Sequence, residues 1–361
     1  MERRAFLTAG LGLSATTLAA RPLAALAQAA PDTTRWRAFE VTTRAEIVDP
    51  AGPVRAWIPL ALAPDTDYFK NLGRTWTGNP KSARTARDDR YGASILTVEW
   101  EPGEPAPVVE VVMRFATRDR AVDLSKPGDA REDKRVLARY LEPTRLMPTD
   151  GIVARTARDI TRGRKSDIDK SRAIYEWIVD STFRDPKVRG CGVGDIRAML
   201  ESGNLSGKCA DLNALYVGLA RAVGIPSRDV YGVRVADSSE FKSLGKSGDI
   251  TRAQHCRAES FLAGFGWVPV DPADVRKVVL EERGGISLTD PAAQRARAKL
   301  FGWWEMNWLA YNYAHDVRLP GSVGDPVGFF MYPQAEVNGE RRDSLDPDTF
   351  RYRMTAKELS A

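Results

Sequence analysis

The sequence predicts an α+β protein, because strand patterns and helix patterns occupy separate stretches of the chain. Between about Trp36 and Val122, short apolar runs alternate or cluster between Pro, Gly and Asp, which is typical of strands. From Ile152 onward, apolar residues recur at three- and four-residue steps, the period of helices that bury one face. Two further strand patterns follow within residues 254–272 and meet at a glycine-containing turn. Segregated strands and helices favour an α+β fold.

The first thirty residues have the features of an export signal. Arg3-Arg4 precedes a moderately apolar run from Ala9 to Ala20, and small residues follow as a cleavage site, which is typical of a twin-arginine signal. A permanent membrane anchor would need about twenty continuous apolar residues, and Arg21-Pro22 interrupts this run. We therefore predict cleavage near residues 27–30, export of the folded protein to the periplasm, and no stable membrane span in the mature chain.

Composition and charge exclude a nucleic-acid-binding protein. The chain has 361 residues, of which 43% are hydrophobic, enough for one large or two ordinary domains. The formal net charge is +5; the signal carries three arginines and one glutamate, which is +2, so the mature chain has +3. Its lysines and arginines are scattered along the sequence, and no basic stripe of the kind that binds nucleic acid is visible.

Residues 31–125 predict a β-sandwich-like domain, with one longer loop around Asp65 to Asp89. No residue cluster in this domain has a catalytic composition, so we interpret it as a scaffold. A charged stretch that contains Lys126-Pro127-Gly128 opens a predicted linker over residues 126–150. The strand patterns that carry this prediction are 39–48, 54–58, 94–100 and 108–115.

Helical patterns resume in a predicted core over residues 151–285. One helix is expected over residues 152–160 and a second from Asp167 to Val179, with acidic residues in its first turn. A glycine-rich loop over residues 184–195 then precedes a short helix. This loop lacks the Lys-Ser/Thr ending of a phosphate-binding loop, so we expect it to lie beside a cleft rather than to hold a nucleotide.

A helix that begins at Cys209 is the first candidate for chemistry. Leu212, Leu215, Leu219 and Val223 predict one buried helical face, and Gly224 suits the left-handed position after its end. Cys209 lies in or just before the first turn, where unpaired amides and the helix dipole stabilise a thiolate. The thiol is therefore a candidate nucleophile, although a small buried cysteine in the core would give the same local pattern.

The second candidate is a hairpin that carries His255 and Asp271. Residues 254–262 and 267–272 read as strands around the turn Ala263-Gly264-Phe265-Gly266. Antiparallel pairing would bring His255 and Asp271 to the same end of the hairpin. A thiol, an imidazole and a carboxylate that orients the imidazole form a nucleophile–base–orienter triad. A structural histidine is the alternative, and Glu259 and Asp274 are the other carboxylates near enough in sequence to orient the ring.

Three motifs in this order resemble the transglutaminase-like core of bacterial and archaeal proteins. The resemblance is specific over roughly residues 207–274. It implies a papain-like α+β core with Cys209 as nucleophile, His255 as base and Asp271 as its orienter. Many relatives carry a tryptophan where this chain has Arg257, so the resemblance does not extend to substrate preference. The motifs are Gly207-Lys208-Cys209-Ala210-Asp211 with the helix end Arg221-Ala222-Val223-Gly224-Ile225-Pro226-Ser227-Arg228, then His255–Glu259, and Gly266-Trp267-Val268-Pro269-Val270-Asp271-Pro272.

The remaining cysteines do not predict a metal or cofactor site. Cys256 follows His255 on a strand, so its side chain should point to the opposite face, and we expect it to be buried and unpaired. The sequence leaves open whether Cys191 lies beside it. No Cys-x-x-Cys or His-x-x-x-His spacing is present, and the chain has only two histidines, so zinc is not expected. No cofactor is predicted.

Residues 286–361 predict an extension packed on the core. A helical segment over residues 291–300 precedes an aromatic stretch over residues 301–311, which we interpret as packing rather than as a sugar-binding platform. The family resemblance implies a strand at Asp316–Leu319, and His315 is then structural or exposed. Short patterns near residues 332–339 and 350–352 predict closing hairpin strands.

These features together predict acyl transfer through a Cys209 thioester in the cell envelope. The expected substrate is a peptide, a protein or a cell-wall peptide, and the oxyanion should meet backbone amides at the start of the Cys209 helix. Water as acceptor gives a peptidase or amidase, and an amine gives a transglutaminase; no acceptor tunnel that would exclude water is evident, which favours hydrolysis. A catalytically silent binding or scaffold module with the same fold is the alternative.

Overall fold

The computed structural model describes residues 33–360, which belong to one compact unit. The predicted export signal, residues 1–30, lies outside the described residues. Within those that are described, no helix combines the length and the apolar character needed to cross a membrane.

The described chain begins with strands over residues 37–121, as expected, and helices and strands both occur after them. Helices of the described residues are α1 Lys134–Arg139, α2 Gly151–Ile160, α3 Asp167–Ser181, α4 Ile196–Ser202, α5 Cys209–Ala222, α6 Pro272–Glu281 and α7 Pro291–Lys299. The strands are β1 Arg37–Ile47, β2 Val54–Pro59, β3 Phe69–Gly78, β4 Ser82–Arg87, β5 Ser94–Glu99, β6 Val108–Thr117, β7 Arg120–Ala121, β8 Phe183–Arg184, β9 Ser206–Gly207, β10 Ser227–Arg234, β11 Gly248–Asp249, β12 Gln254–Leu262, β13 Gly266–Val270, β14 Trp303–Trp304, β15 Trp308–Asn312, β16 His315–Val317, β17 Val327–Phe329, β18 Gln334–Val337, β19 Glu340–Arg342 and β20 Phe350–Leu359.

Two five-stranded antiparallel sheets form the strand-rich region at the N-terminal end. Their strand orders are β11-β20-β1-β6-β3 and β19-β18-β2-β5-β4. Buried residues of both sheets, such as Val41 and Phe115 on one and Ile58 and Val98 on the other, share one apolar cluster. The two sheets therefore pack face to face as a sandwich. This confirms the α+β class and the strand-rich N-terminal region.

The longer loop predicted over residues 65–89 is wrong, because this stretch contains β3 and β4. Each of these strands lies at the outer edge of one sheet. Most of their side chains are exposed or only half-buried, so neither strand has the apolar alternation that marks a half-buried strand. Polar edge strands are a common protection against sheet-to-sheet association, and they hide the strand signal in the sequence.

The C-terminal strands return to the N-terminal sheets. The β20 strand pairs with β1 along ten residues, from Ala38–Leu359 to Ile47–Phe350, and β18 pairs with β2. The closing hairpin predicted near residues 332–339 is confirmed as β18 and β19. The predicted boundaries at residues 125, 150 and 285 stay a prediction, but the sandwich takes strands from both ends of the described chain.

The core places α5 against a four-stranded antiparallel sheet with the order β13-β12-β10-β15. The predicted helix at Cys209 and its end at Gly224 (φ +85°) are confirmed. Every α5 residue from Cys209 to Arg221 is buried, so the helix lies inside the core rather than presenting one face to it. Its polar residues have buried partners, which is why a fully enclosed helix still contains an aspartate, an asparagine and an arginine.

Strand β10 was not predicted from the sequence, although it lies in the middle of the core sheet. Its charged residues obscure the apolar pattern, and both of its arginines form ion pairs inside the protein. Arg228 pairs with Glu259 and Arg234 pairs with Asp274, while Asp229 Oδ2 lies 3.3 Å from His315 Nε2. His315 is buried and also contacts the hydroxyl of Tyr231 at 3.2 Å, so the structural alternative for this histidine is confirmed.

Candidate active site

The start of α5 is held by Asp211, two residues after Cys209 in the first turn of the helix. The carboxylate of Asp211 accepts hydrogen bonds from the amides of Lys208, Val193 and Gly194, each at 2.9 Å. It thereby joins the glycine-rich loop to the first turn of the helix. Gly192 has φ +95°, and a Cβ there would lie 1.8 Å from Asp211 Oδ2. The glycine is required because the loop backbone passes so close to this carboxylate.

At the start of α5, the amide of the Cys209 residue itself is available beside the thiol. The amide of Ala210 donates to the carbonyl of Cys191 at 2.9 Å. The amide of Cys209 is at the first position of α5 and has no acceptor within the helix. The amide of Cys209 is therefore available to meet an oxyanion at the start of the helix.

The Cys209 thiol is buried and its pKa is held well below the ordinary value. Hydrogen bonding with Cys191 and then Cys256 contributes most, His255 adds a hydrogen bond and its charge, and burial opposes the effect. All three cysteines are free and buried, which confirms that Cys256 is unpaired. The Cys256 side chain, predicted on the strand face opposite His255, contacts Met331 Sδ at 3.9 Å and also contributes to lowering the pKa of the Cys209 thiol.

The ring of His255 is fixed by two carboxylates. His255 Nε2 lies 2.8 Å from Asp271 Oδ2 and 3.3 Å from Asp274 Oδ2. Burial and Arg234 lower the pKa of His255, but Asp274 and Asp271 outweigh them and raise it to about 9. Because Nε2 faces the carboxylates, Nδ1 is the ring nitrogen left to exchange a proton with the thiol.

Asp271 is held from several sides at the end of the hairpin. Its Oδ1 accepts hydrogen bonds from Asn213 Nδ2 and from the amide of Asp274, both at 3.1 Å. It also caps α6, whose first residue is Pro272. The confirmed hairpin of β12 and β13 places Asp271 just after its second strand. The structure therefore brings all three predicted site residues together; their catalytic roles stay a prediction.

Three charged residues of this site were not assigned to it from the sequence. Asp274 was considered only as an alternative orienter of the ring. It contacts His255 and also Arg234, whose Nη2 lies 2.6 Å from its carboxylate. Arg257 Nε lies 3.8 Å from Asp271, and its guanidinium faces the ring of Trp308 at 4.8 Å.

The two alternative orienters considered from the sequence have different positions. Glu259 pairs with Arg120 and Arg228 and does not contact His255. Asp274 is three residues after Asp271 on α6, and helix spacing is the signal that could have found it.

The charges of the site balance once a proton passes from Cys209 to His255. There are then three cations, His255, Arg234 and Arg257, and three anions, Cys209, Asp271 and Asp274. A buried ion pair is stable only when further charges and hydrogen bonds compensate it. The network therefore suits a thiolate–imidazolium pair.

One group of the described residues has a geometry that could hold a metal ion. His255, Asp271 and Asp274 each place a ligand atom within 4.8 Å of the others. Arg234 already forms an ion pair with Asp274, and Arg257 lies beside Asp271. These two guanidinium groups compensate the carboxylates that a metal would need, so the donor set fits an imidazolium better than a divalent cation.

A cleft of about 450 Å³ opens at the thiol. Cys209 and His255 both line it, together with Cys191 and Gly190 of the glycine-rich loop, which confirms that this loop lies beside a cleft. Tyr332 and Tyr352, from the C-terminal segment, close another side. The nucleophile candidate is therefore buried as a side chain but faces a cavity large enough for part of a peptide.

The fold and the Cys-His-Asp geometry identify a class of protein. A profile of the transglutaminase-like superfamily matches residues 154–272, which include all three predicted site residues. The chain belongs to the transglutaminase-like superfamily, and the resemblance inferred from the sequence motifs is confirmed.

Individual relatives extend this similarity along the chain. An uncharacterized protein of Haemophilus influenzae is 35% identical over 341 residues, which cover 89% of this chain and 91% of the relative. Among solved structures, a candidate cysteine protease from Cytophaga hutchinsonii aligns with a TM-score of 0.57 at 13% identity, over 91% of this chain and 92% of that one. The periplasmic domain of TgpA from Pseudomonas aeruginosa aligns with a TM-score of 0.34 at 17% identity, over 66% and 92% of the two chains. The Cytophaga structure supports a common fold.

Proposed function

We propose that this protein is a cysteine-dependent enzyme that cleaves or exchanges amide bonds through a Cys209 thioester. The observation that carries the proposal is the contact of His255 Nε2 with Asp271 at 2.8 Å, beside a thiol whose pKa is lowered in part by His255. A buried thiol with its proton acceptor and a carboxylate orienter has the composition of a catalytic triad.

The proposed reaction begins with attack by the Cys209 thiolate on an amide carbonyl. The negative charge on the carbonyl oxygen is met by the amide of Cys209, at the positive end of α5. His255 then donates its proton to the leaving amine, and the thioester remains. Asp271 keeps the ring oriented and stabilises the imidazolium until the proton is transferred.

The second substrate decides between hydrolysis and transamidation. Water attack on the thioester, with His255 as base, releases an acid and gives a peptidase or amidase. An amine gives a transglutaminase product through the same groups. We favour hydrolysis, because excluding water from a thioester needs a specialised acceptor tunnel, and the sequence indicates none. Peptide, protein or cell-wall peptide substrates are the proposed class, in the periplasm, where the predicted signal would deliver the enzyme.

The decisive experiment is the substitution Cys209→Ser in the mature protein. The swap removes thiolate chemistry at almost constant volume, so we expect turnover to vanish while the melting temperature changes little. Activity is screened on peptide and cell-wall substrates, with and without an added amine. The matched control is Cys191→Ser, which removes a neighbouring buried thiol that is not the proposed nucleophile and should keep measurable turnover.

A second readout does not depend on knowing the substrate. Iodoacetamide at pH 6 should modify Cys209 in preference to Cys191 and Cys256, and this preference should disappear in His255→Ala. Peptide mapping by mass spectrometry gives the site of modification. Equal labelling of all three cysteines would favour the catalytically silent scaffold, and near wild-type turnover in Cys209→Ser would end the assignment of Cys209 as the nucleophile.

A further inference from the structure

The cleft at Cys209 is lined by cationic side chains. Seven lysines and arginines contribute to it, and no aspartate or glutamate is present among the described residues that line it. The mature chain as a whole is only mildly basic, so this concentration of one sign is a local property of the cleft. A low-dielectric cleft with charges of one sign attracts ligands of the other sign.

Four of the seven cations have partners that account for their position. Arg184 and Lys277 share a single carboxylate, Glu281, at 3.2 and 3.3 Å. Arg189 pairs with Asp343, and Arg234 pairs with Asp274. Three carboxylates therefore serve four cations, and even the paired set leaves the cleft wall with an excess of positive charge.

The other three cations have no such partner. Within residues 33–360, none of Lys208, Lys246 and Arg252 forms an ion pair or a side-chain hydrogen bond, and Lys246 and Arg252 are exposed. Lys208 directly precedes Cys209, and Arg252 is three residues before His255. The unpaired cations thus flank the proposed nucleophile and the proposed base.

Their positions are held by the backbone even though the side chains lack partners. Lys246 and Arg252 lie in the loop between β10 and β12. The short β11 strand in this loop pairs with β20, with Gly248 opposite Ala356. The amide of Lys208 is bonded to Asp211. Cationic groups on fixed backbone at both sides of a cleft can recognise two anionic groups on one ligand.

We propose that the substrate is an acidic peptide, with carboxylates on both sides of the amide that Cys209 attacks. This inference rests on the proposed function, because it identifies the substrate class of the same site. Lys208 would contact a carboxylate on the helix side of the cleft, and Lys246 and Arg252 one on the loop side. A cleft of about 450 Å³ accommodates only a short stretch of peptide. The carboxylates to be recognised should therefore lie close to the attacked amide, where the cations of the cleft can reach them.

The test compares an anionic and a neutral thiol reagent on the mature protein. Iodoacetate carries the carboxylate that iodoacetamide lacks, and the rate ratio of the two at Cys209 reports the field at the thiol. We expect the ratio of the iodoacetate rate to the iodoacetamide rate to fall roughly tenfold at low salt in the triple variant Lys208→Gln/Lys246→Gln/Arg252→Gln. This is the effect that the loss of three screened charges within about 10 Å of the thiol would give. The control variant Arg155→Gln/Arg158→Gln/Lys165→Gln removes the same charge from exposed positions outside the cleft and should keep the ratio.

Competition by capped tetrapeptides then tests the peptide class. Tetraglutamate should protect Cys209 from iodoacetamide, while tetraglutamine and tetralysine should not, and protection should weaken with salt and in the cleft variant only. Equal protection by tetraglutamate and tetraglutamine, no protection by any peptide, or an unchanged reagent ratio in the cleft variant would overturn the inference. Slow modification of Cys209 by both reagents would instead contradict the proposed function, so the two failures are distinguishable.

Discussion

Two carboxylates contact His255, and their other partners give them different functions. Asp271 is held by Asn213 and by the start of α6, and its free oxygen faces His255 Nε2. Asp274 contacts the same nitrogen at a longer distance and forms a buried ion pair with Arg234. We infer that Asp271 mainly orients the ring, whereas Asp274 mainly compensates Arg234 and adds to the field on His255.

Substitution of the two carboxylates should separate these contributions. Asp271→Asn keeps the shape and the helix cap but loses the charge, so we expect turnover to fall by roughly two to four orders of magnitude. The acid limb of thiol alkylation should move to higher pH, because the imidazolium forms less readily. Steady-state kinetics and the pH profile of alkylation measure both effects.

Asp274→Asn provides the matched comparison. It leaves Arg234 buried without its carboxylate, so we expect the free energy of unfolding to fall by roughly 3 kcal/mol, measured by denaturant titration. If Asp271→Asn leaves both turnover and the alkylation profile unchanged while Asp274→Asn lowers turnover strongly, Asp274 is the orienter and the assignment is reversed.

The raised pKa of His255 predicts the basic limb of the pH profile. The thiolate–imidazolium pair is present above the lowered pKa of Cys209 and below the pKa of His255, which is about 9. As pH rises through about 9, His255 loses the proton that it must give to the leaving amine. We expect kcat/KM to decline over that range. A decline centred near pH 6.5, the ordinary value for histidine, would contradict the contribution of the two carboxylates.

Among the elements, the contact between the glycine-rich loop and α5 determines where the thiol lies. The carboxylate of Asp211, in the first turn of α5, accepts hydrogen bonds from amides of both segments. The loop also carries Cys191, which helps to lower the pKa of the Cys209 thiol. A change in the loop backbone should therefore alter the thiol although it touches no proposed catalytic side chain.

Gly192→Ala tests this coupling. The new Cβ would collide with Asp211, at 1.8 Å, and the residue has φ +95°, so we expect both a loss of stability and a rise in the pKa of Cys209. Gly203→Ala is the control, because Gly203 also has a positive φ of +70° but no atom within 4 Å of the added Cβ. Its cost should be limited to roughly 1 kcal/mol of backbone strain. Calorimetry measures the stability of the two variants, and the pH dependence of alkylation measures the pKa of Cys209 in each. Equal changes in Gly192→Ala and Gly203→Ala would show that backbone strain alone is responsible.

At the level of the whole molecule, the sandwich and the core are joined through the C-terminal segment. Strand β20 completes one sheet of the sandwich and also pairs with β11 of the cleft loop. Tyr332 and Tyr352 from the same segment line the cleft. The sandwich is therefore connected to the cleft wall, even though its own residues have no catalytic composition.

We predict that export of the whole molecule depends on the twin-arginine pair, which can be tested in cells. Arg3→Lys together with Arg4→Lys should block the twin-arginine route and leave the precursor in the cytoplasm. Fractionation followed by immunoblotting measures this, with Arg21→Lys as a control that keeps the charge and the twin-arginine pair. Mature protein in the periplasm from the double variant would show that the general secretory route is used.

Local patterns were sufficient for the α+β class, the α5 helix and the β12–β13 hairpin. Each of these is specified by residues within one short stretch: the apolar period and Gly224 for the helix, and the glycine-containing turn for the hairpin. Because hairpin geometry is local, the sequence also predicted that Asp271, sixteen positions after His255, would lie beside it. Short-range patterns and motifs were thus enough to name the candidate nucleophile, base and orienter.

Tertiary structure decided the features that depend on pairing between distant residues. The charged residues of β10 hide its strand pattern in the sequence, because the residues that they contact, Glu259, Asp274 and His315, are distant along the chain. Strand β20 likewise pairs with β1, although almost the whole described chain separates them. The approach of Cys191 and Cys256 to Cys209, and the collection of seven scattered cations in one cleft, arise in the same way. Burial and ion pairing act between residues that are close in space, and a linear pattern does not record that closeness.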